Sequence, residues 1–590
     1  MRLLSLLLLL IYCTGCGPSE TPKQAARAGE SPDSIYAHYW EERAQLFPLE
    51  ATGSGDYRYN DRMTITIAAS FRDSLQKFYT KYKTAIKTSD TSGMTPEDLL
   101  SYKLFRYEMD MGLEGLKYPA HYLPINQFWG LTLDLPLLGS GAGNQPFKTV
   151  KDYDDFLKRM WVFPAWTDTA IANMREGMGK GWVLPKALVV KILPQLKAML
   201  VPAEQSTFYG AYKLMPDSFP AAEKMRIKVG FQWTIDSFVR PSYQKLYDFM
   251  SGEYLAKSRT SSGIGDIPQG AAYYQYLIKY WTTTELTPDS IYRLGKAEVA
   301  RIEAEMTRVK EETGFKGDLH AFFDYLNKDN QFFPFTTAEQ VLDSFQNIRK
   351  VEEPALKRLF NHVPKSPFTI RQTEAFRAAS ASAEYSQPSE DGSRPGIFYV
   401  PILNAKKFNA VGMETLFLHE AIPGHHYQIS LQQENKALPK FRRFLWYGAY
   451  GEGWALYSES LGKELGLFQN PYQYFGHLSD AMHRAIRLVV DAGLHSKGMT
   501  REQAIAYMMA HEQTTTEGAT AEIERYMAIP GQALSYKIGQ LAIRAERSQW
   551  QHLLNVDFDL AAFHDQVLAG GCVPLYLLSE NLKAWAATQQ

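Results

Sequence analysis

The segment FLHEAIPGHHYQ, from Phe417 to Gln428, constrains the local fold more than any other part of the chain. The apolar residues that precede its first histidine favour a helix. Pro423 cannot continue that helix regularly, because it has no amide hydrogen for the carbonyl of His419 and its ring clashes with that turn. Gly424 tolerates backbone angles that other residues avoid. The sequence therefore predicts a helix that is bulged or broken at Pro423 and Gly424.

The spacing of the histidines then decides what such a break could do. Zinc-binding histidines on one helix usually stand four residues apart. Here His419 is followed by His425 and His426, six and seven residues further on. In a continuous helix the sixth residue points about 120° away and the seventh lies about 10 Å along the axis. A bulge that absorbs two residues would bring His425 beside His419, so His425 is the expected second zinc ligand and His426 the alternate. A helix that simply ends here, with loop histidines, is the other interpretation.

A third ligand is expected from the segment YGAYGEGWALYSE, residues 447–459. Glu452 and Glu459 stand seven residues apart and share a helix face. Gly451 and Gly453 flank Glu452 and permit a close approach of another backbone. Glu452 is therefore the predicted third ligand. Glu459 is either the alternate ligand or a carboxylate that orients a histidine.

The residue beside the first histidine suggests a catalytic use for such a site. Three protein ligands leave one zinc coordination position for water, as in catalytic sites. Glu420 is adjacent to His419 and is the expected general base, which takes a proton from that water and passes it to the leaving amine. One bound Zn²⁺ ion is predicted.

Further polar residues follow in two segments. Asp491 and His495 stand four apart in AIRLVVDAGLH, and His495 is either a catalytic histidine that Asp491 orients or half of a buried structural pair. Tyr526 and Tyr536 can donate hydrogen bonds to an oxyanion. Arg525 can clamp a substrate carboxylate.

The best strand candidate is PGIFYVPIL, residues 395–403. As an edge strand it could pair with an extended peptide, which would place Phe398 and Tyr399 at the substrate. A short internal hairpin is the alternative.

The rest of the chain predicts helices. Ser31, Thr95 and Thr287 are each followed by proline and an acidic residue, which is typical of a helix start. The expected fold class is mainly α with a small β element. Residues 35–380 are expected to form an N-terminal helical region, and residues 381–590 the metal-binding catalytic region, with both in one compact body.

The N-terminus predicts export. Residues 1–15 contain an apolar run of about ten residues, too short to span a bilayer and typical of a signal peptide. Thr14-Gly15 before Cys16 is typical of a bacterial lipobox, although an ordinary secretory signal is the alternative. Residues 16–34 form the expected flexible tether. We therefore expect an exported bacterial lipoprotein, periplasmic or at the cell surface, anchored to the membrane through Cys16. The net charge of −1 gives no reason to expect nucleic-acid binding.

Four motifs together carry a resemblance: LHEAIPGHHYQ, EGWALYSE, RLVVDAGLH and ERYMAIPGQALSYKIG. As an ordered set they resemble the bacterial family known as domain of unknown function 885, which is similar to gluzincin-type zinc metallopeptidases. The resemblance implies a helical peptidase fold with a deep cleft, as in angiotensin-converting enzyme. It implies His419, His425 and Glu452 as ligands and Glu420 as the acid-base. The spacing departs from His-Glu-x-x-His, although dipeptidyl peptidase three tolerates one extra residue there.

Two functions follow from these features. The first is a zinc-dependent metallopeptidase that hydrolyses short peptides. The second is a membrane-tethered lipoprotein that binds peptide or glycan and whose metal site is structural or vestigial. Three ligands with a free acid beside them favour the first, because a structural zinc site is closed by four protein ligands.

Overall fold

A computed structural model of the protein describes residues 30–373, 382–388 and 394–589. The predicted signal peptide 1–15, the lipidated Cys16 and most of the predicted tether lie outside the described residues, as does the predicted boundary at 380–381. The first helix begins at Pro32, inside the segment 16–34 that the sequence assigns to the tether.

Helices make up most of the described chain before residue 357. They are α1 Pro32–Leu46, α2 Pro48–Gly53, α3 Ala69–Lys87, α4 Pro96–Gly115, α5 Leu131–Gly139, α6 Val150–Lys180, α7 Lys186–Ala198, α8 Gly210–Lys213, α9 Ala221–Thr234, α10 Arg240–Phe249, α11 Leu255–Lys257, α12 Gly270–Thr282, α13 Pro288–Glu312, α14 Leu319–Lys328 and α15 Ala338–Leu356. The hydroxyl oxygens of Ser31, Thr95 and Thr287 each accept a hydrogen bond from the backbone amide three residues further on. The three predicted helix starts are therefore confirmed.

A small sheet follows, made of β1 Phe368–Gln372, β2 Glu384–Ser386 and β3 Gly396–Val400. Its strand order is β1-β3-β2, in which β3 runs parallel to β1 and antiparallel to β2. The predicted strand is therefore present as β3, but as the central strand. Its backbone pairs on both sides with neighbouring strands, so the prediction of an edge strand that adds a peptide is wrong for β3.

Helices also form most of the chain after the sheet. They are α16 Met413–Glu420, α17 His425–Glu434, α18 Lys440–Arg443, α19 Gly448–Glu459, α20 Pro471–Ser496, α21 Arg501–His511, α22 Thr516–Ala528, α23 Ser535–Leu554, α24 Leu560–Ala569 and α25 Leu575–Ala586. The fold is mainly α with a small β element, as predicted. None of the helices in the described residues is both long enough and apolar enough to cross a membrane.

Two hydrophobic cores hold these helices together. Both cores contain residues that precede the sheet in the sequence and residues that follow it. One core contains Phe105 and Trp454, and the other contains Phe156 and Val490. Helix α13 packs along α20, and α19 packs along α23. The described parts of the N-terminal and C-terminal regions are thus interlocked through shared cores.

Helices α19 and α23 approach each other unusually closely. A Cβ atom on Gly453 would lie 2.5 Å from the Cα atom of Gly539, and a Cβ atom on Gly539 would lie 1.8 Å from the carbonyl oxygen of Ala449. Both distances are far below van der Waals contact, and the groups they meet are backbone atoms. Glycine at these positions lets α19, which carries Glu452, lie against α23, which carries Tyr536.

This contact predicts that Gly539→Ala destabilises the protein by at least about 1–3 kcal/mol, because two backbones must separate to admit the methyl group. Gly179→Ala is the matched control, since a Cβ atom there meets nothing within 4 Å. It should stabilise the protein slightly, because alanine favours a helix over glycine. Urea unfolding followed by circular dichroism measures both changes. Equal unfolding midpoints for Gly539→Ala and the wild type would contradict the interpretation.

Candidate metal centre

The predicted interruption separates two helices that carry the histidines. Helix α16 ends at Glu420 and α17 begins at His425. The peptide bond between Ile422 and Pro423 is cis. A Cβ atom on Gly424 would lie 2.0 Å from the carbonyl oxygen of His419, so the backbone passes where only glycine fits. The histidines therefore lie at the end of one helix and the start of the next.

Helix α19 holds this interruption in place. The carbonyl oxygen of Pro423 accepts hydrogen bonds from the indole Nε1 of Trp454 at 2.8 Å and from the hydroxyl of Ser458 at 3.3 Å. In a regular helix this carbonyl would accept a hydrogen bond from the backbone amide four residues later. Because Glu452 lies on the same helix as these donors, the interruption and the third predicted ligand are fixed relative to each other.

The three predicted ligands converge. Oε2 of Glu452 lies 3.4 Å from Nε2 of His425 and 3.7 Å from Nε2 of His419. The candidate ligand atoms all lie within 4.8 Å of one another, and among the described residues no other set of three or more such side chains does so. Tetrahedral zinc with bonds of 2.0–2.1 Å separates its ligand atoms by about 3.3 Å. The two imidazoles and the carboxylate therefore fit a single zinc ion.

Glu459 faces the far side of His419. Its Oε1 lies 2.8 Å from Nδ1 of His419, and the Glu459 side chain is fully buried. A carboxylate in this position fixes the ring orientation and leaves Nε2 free for a metal. Of the two roles that the sequence left open for Glu459, the geometry fits the orienting one.

The carboxylates around His419 also govern its protonation. Burial by itself lowers the pKa of His419, but the interactions with Glu452 and Glu459 outweigh burial and raise that pKa to about 10. Burial raises the pKa of Glu452, while His419 and His425 together bring it well below its usual range. The cluster thus attracts a positive charge, either a proton or a metal ion that takes its place.

His426 lies apart from the cluster. Its Nδ1 is 2.8 Å from the hydroxyl of Tyr385 and 3.3 Å from that of Ser430, and its ring packs against Phe368. Burial lowers its pKa to about 4. This histidine faces the sheet, so the structure does not support His426 as the alternate ligand.

Glu420 and His419 line a cavity of about 940 Å³. The Glu420 side chain is largely buried, with an exposed fraction of 7%. Burial raises its pKa, and the nearby histidines His419 and His425 oppose that effect. A carboxylate with a raised pKa beside a cluster of candidate metal ligands is suited to accept and return a proton.

The two predicted tyrosines have different positions. The hydroxyl of Tyr526 donates to Glu522 at 2.5 Å and accepts from Nε of Arg487 at 3.0 Å, and the residue is 1% exposed. Tyr536 is half-buried and lines the cavity, with the Arg487 guanidinium 4.6 Å from its ring centre. Tyr536 is therefore placed to reach a ligand, whereas Tyr526 positions Arg487 and Glu522.

His495 is a buried structural residue, but it does not form the Asp491–His495 pair that the sequence suggests as its alternative. Its Nδ1 accepts from the Ile264 amide at 2.9 Å, and its Nε2 lies 3.0 Å from the Tyr526 carbonyl. Asp491 accepts from the Tyr274 hydroxyl at 2.6 Å and so does not orient His495. Both residues are buried and neither lines the cavity, so His495 is not a catalytic candidate.

Of the three predicted substrate-binding residues, one lines the cavity and two do not. Arg525 lines the cavity, with its guanidinium 3.1 Å from the Gln532 amide oxygen. Phe398 is fully buried in the core against Phe345 and Phe417, and so cannot contact a substrate. Tyr399, on the other face of β3, does not line the cavity either. The prediction that Phe398 binds substrate is therefore wrong, and the same role for Tyr399 stays a prediction.

Sequence reasoning missed part of this cavity. Asp480, His483, Arg484 and Arg487 line it from one face of α20. The signal was present, because polar residues recur there every three or four positions in an otherwise apolar helix. Ser382 and Ala383, just before β2, also reach the cavity but carry no comparable sequence signal.

Comparisons with known proteins agree with this fold. No curated protein matches the chain. A crystal structure from Colwellia psychrerythraea, described as a "putative lipoprotein", is 30% identical, covers 94% of this chain and 98% of its own, and has a TM-score of 0.87. A Shewanella oneidensis structure, described as a "putative lipoprotein of unknown function", has the same fold at 20% identity, with 93% and 99% coverage and a TM-score of 0.71.

The family comparison covers most of the chain. The model that matches is described as "Bacterial protein of unknown function (DUF885)", and the match runs over residues 48–582. That span includes every candidate ligand and the helices that position them. The chain therefore belongs to the DUF885 family of bacterial proteins.

Proposed function

We propose that the protein is a zinc-dependent metallopeptidase that hydrolyses short peptides. The observation that carries the proposal is the convergence of His419, His425 and Glu452 beside Glu420 at the wall of a cavity. A zinc ion held by these three residues would polarise a carbonyl group and lower the pKa of a water molecule toward neutrality.

The protein's own residues supply the remaining chemistry. Glu420 takes a proton from the attacking water and delivers it to the leaving amine. The phenol of Tyr536 donates a hydrogen bond to the oxygen of the attacked carbonyl, on which negative charge develops. Glu459 keeps the His419 ring in the orientation that leaves Nε2 free. The volume of about 940 Å³ suits a short peptide and is too small for a folded protein.

The proposal includes export and anchoring. The chain begins with a signal-like apolar run followed by Cys16. A lipid on Cys16 would hold the protein at a membrane, periplasmic or on the cell surface, while the folded part remains in water. The description of the Colwellia protein as a "putative lipoprotein" supports this placement.

A second candidate function is a tethered binding protein for peptides or glycans. The observation that favours it is a separate cavity of about 680 Å³ whose lining includes Trp129, Tyr276, Tyr280 and Trp281. Aromatic surfaces of this kind bind apolar ligands and sugar rings. In that case the zinc site would be structural or vestigial, and zinc-loaded protein would cleave no member of a broad peptide library.

Metal analysis tests the ligand assignment. Purified wild-type protein should contain about one zinc ion per chain. His419→Ala and Glu452→Ala should lose the metal, because each removes one of three ligands. His426→Ala is the matched control and should keep it, since His426 faces Tyr385. Plasma mass spectrometry measures the content, and a loss of zinc in His426→Ala equal to that in His419→Ala would contradict the assignment.

Substitution of the general base tests the chemistry. Glu420→Gln should retain zinc and lower peptide hydrolysis by about 10²-fold or more, because the amide cannot accept the proton. Glu414→Gln changes the same residue type on the same helix away from the cavity, where Glu414 accepts the Phe468 amide. It should leave hydrolysis unchanged. Cleavage of a short-peptide library followed by mass spectrometry gives the rates, and full activity in Glu420→Gln would remove this residue from its role.

Glu459→Gln tests the orientation of His419. The neutral amide should weaken zinc affinity by about 10–100-fold, because the imidazole loses the charged partner that aligns it. Competition with a calibrated chelator measures the affinity. An unchanged affinity would show that the short contact between Glu459 and His419 does not support the metal.

A further inference from the structure

The cavity at the metal centre has two kinds of lining. Its apolar residues are Phe128, Met306, Phe323, Leu326, Val411 and Met482. Its ionisable residues, apart from His419, Glu420, Glu512 and Tyr536, are Asp480, His483, Arg484, Arg487, Glu522 and Arg525. A ligand that fills the cavity must therefore offer both an apolar group and a group that pairs with charge.

Phe128 is held at the cavity although it is apolar and 42% exposed. The side-chain oxygen of Asn126 accepts the amides of Phe128 at 2.8 Å and Trp129 at 2.9 Å. The amide nitrogen of Asn126 donates to the carbonyl oxygen of Ala528 at 3.1 Å, which ties this loop to the end of α22. A loop fixed in this way presents an aromatic ring to the cavity at little entropic cost on binding.

Two arginines of the cavity, Arg487 and Arg525, share one carboxylate, that of Glu522. The Glu522 carboxylate lies 3.3 Å from Arg487, 3.5 Å from His483 and 3.7 Å from Arg525. His483 also pairs with Glu512 at 2.8 Å through its other nitrogen. One carboxylate shared between two arginines leaves positive charge that an anionic ligand can meet.

Arg484 retains hydrogen-bond donors. Its Nη1 binds the side-chain oxygen of Asp480 at 2.7 Å and the Asp480 carbonyl at 3.3 Å. Its Nε is buried and has no hydrogen-bond partner among the described residues. A carboxylate can accept from Nε and one terminal nitrogen of a guanidinium together, and such paired bonds are strong and directional. Arg487 follows one helical turn later on the same face of α20.

We propose that this cavity binds the C-terminal residue of a peptide, with the terminal carboxylate on Arg484 and the apolar side chain against Phe128. The proposal rests on the peptidase function and makes the protein a carboxypeptidase for peptides that end in an apolar residue. Water adds across the last peptide bond: its oxygen bonds to the carbonyl carbon, the C–N bond breaks, and its proton goes through Glu420 to the leaving amine. The products are a shortened peptide and a free amino acid. An internal peptide segment offers only neutral amides to Arg484 and would leave its unpartnered Nε without a charged acceptor.

Three probes test the assignment in zinc-loaded protein: benzyloxycarbonyl-Gly-Phe, its C-terminal amide, and benzyloxycarbonyl-Gly-Lys. We expect kcat/KM for the free acid to exceed that for the amide by about 100-fold or more, because the amide cannot offer Arg484 a charged acceptor for its unpartnered donor. Arg484→Gln should remove this difference, chiefly by raising KM for the acid. Arg484→Lys, which keeps the charge without the paired donors, should give an intermediate value.

Two further variants complete the comparison. Phe128→Ala should reduce the preference for Phe over Lys, and the exposure of this ring makes loss of folding a small concern. Arg175→Gln is the matched control, because Arg175 pairs with Glu253 at 2.8 Å and does not line the cavity. It should leave all three rates unchanged. Thermal unfolding of each variant checks that it is folded.

The outcomes separate this proposal from the peptidase function. Equal cleavage of acid and amide, with Arg484→Gln lowering both alike, would overturn the carboxylate site and leave a peptidase. If no probe is cleaved, calorimetric binding to zinc-loaded Glu420→Gln decides. If the acid binds more tightly than the amide, and the double variant Glu420→Gln/Arg484→Gln loses this difference, the result would support the carboxylate site although no cleavage is seen. Equal binding of acid and amide would overturn it.

Discussion

The interruption at Pro423 and Gly424 is the constraint on which the metal centre depends. A continuous helix would point His419 and His425 in different directions. The carbonyl of Pro423, freed from helical bonding, is taken up by Trp454 and Ser458 of α19. The same bonds that satisfy the broken backbone therefore bring the two histidines to the helix that carries Glu452.

The surrounding structure makes this arrangement rigid. Helix α19 lies against α23 through Gly453 and Gly539, where no side chain could fit. Glu459, two helical turns after Glu452, holds His419 from its other nitrogen. Buried ionisable groups of this kind are costly unless each has a partner, and here His419 lies against Glu452 and Glu459 while His425 lies against Glu452. The centre is thus built for a cation, and Glu420 stands beside it at the cavity wall.

Much of this could be predicted from the sequence because it depends on local chemistry. The helix starts at Ser31, Thr95 and Thr287 follow from capping, and the break follows from proline and glycine. The choice of His425 over His426 followed from the length of the bulge. The wrong predictions concern contacts between residues that are distant in the sequence. The sequence places Phe398 at the substrate because nothing in it signals that β3 is paired on both sides. The sequence suggests a catalytic role for His495 because its hydrogen-bond partners, Ile264 and Tyr526, are distant in the sequence.

The most direct test of the account is anomalous diffraction at the zinc absorption edge from crystals of the zinc-loaded protein. The account predicts a single zinc peak bonded to Nε2 of His419, Nε2 of His425 and the Glu452 carboxylate, at about 2.0–2.2 Å. A peak bonded to His426, or no peak between these three side chains, would contradict it.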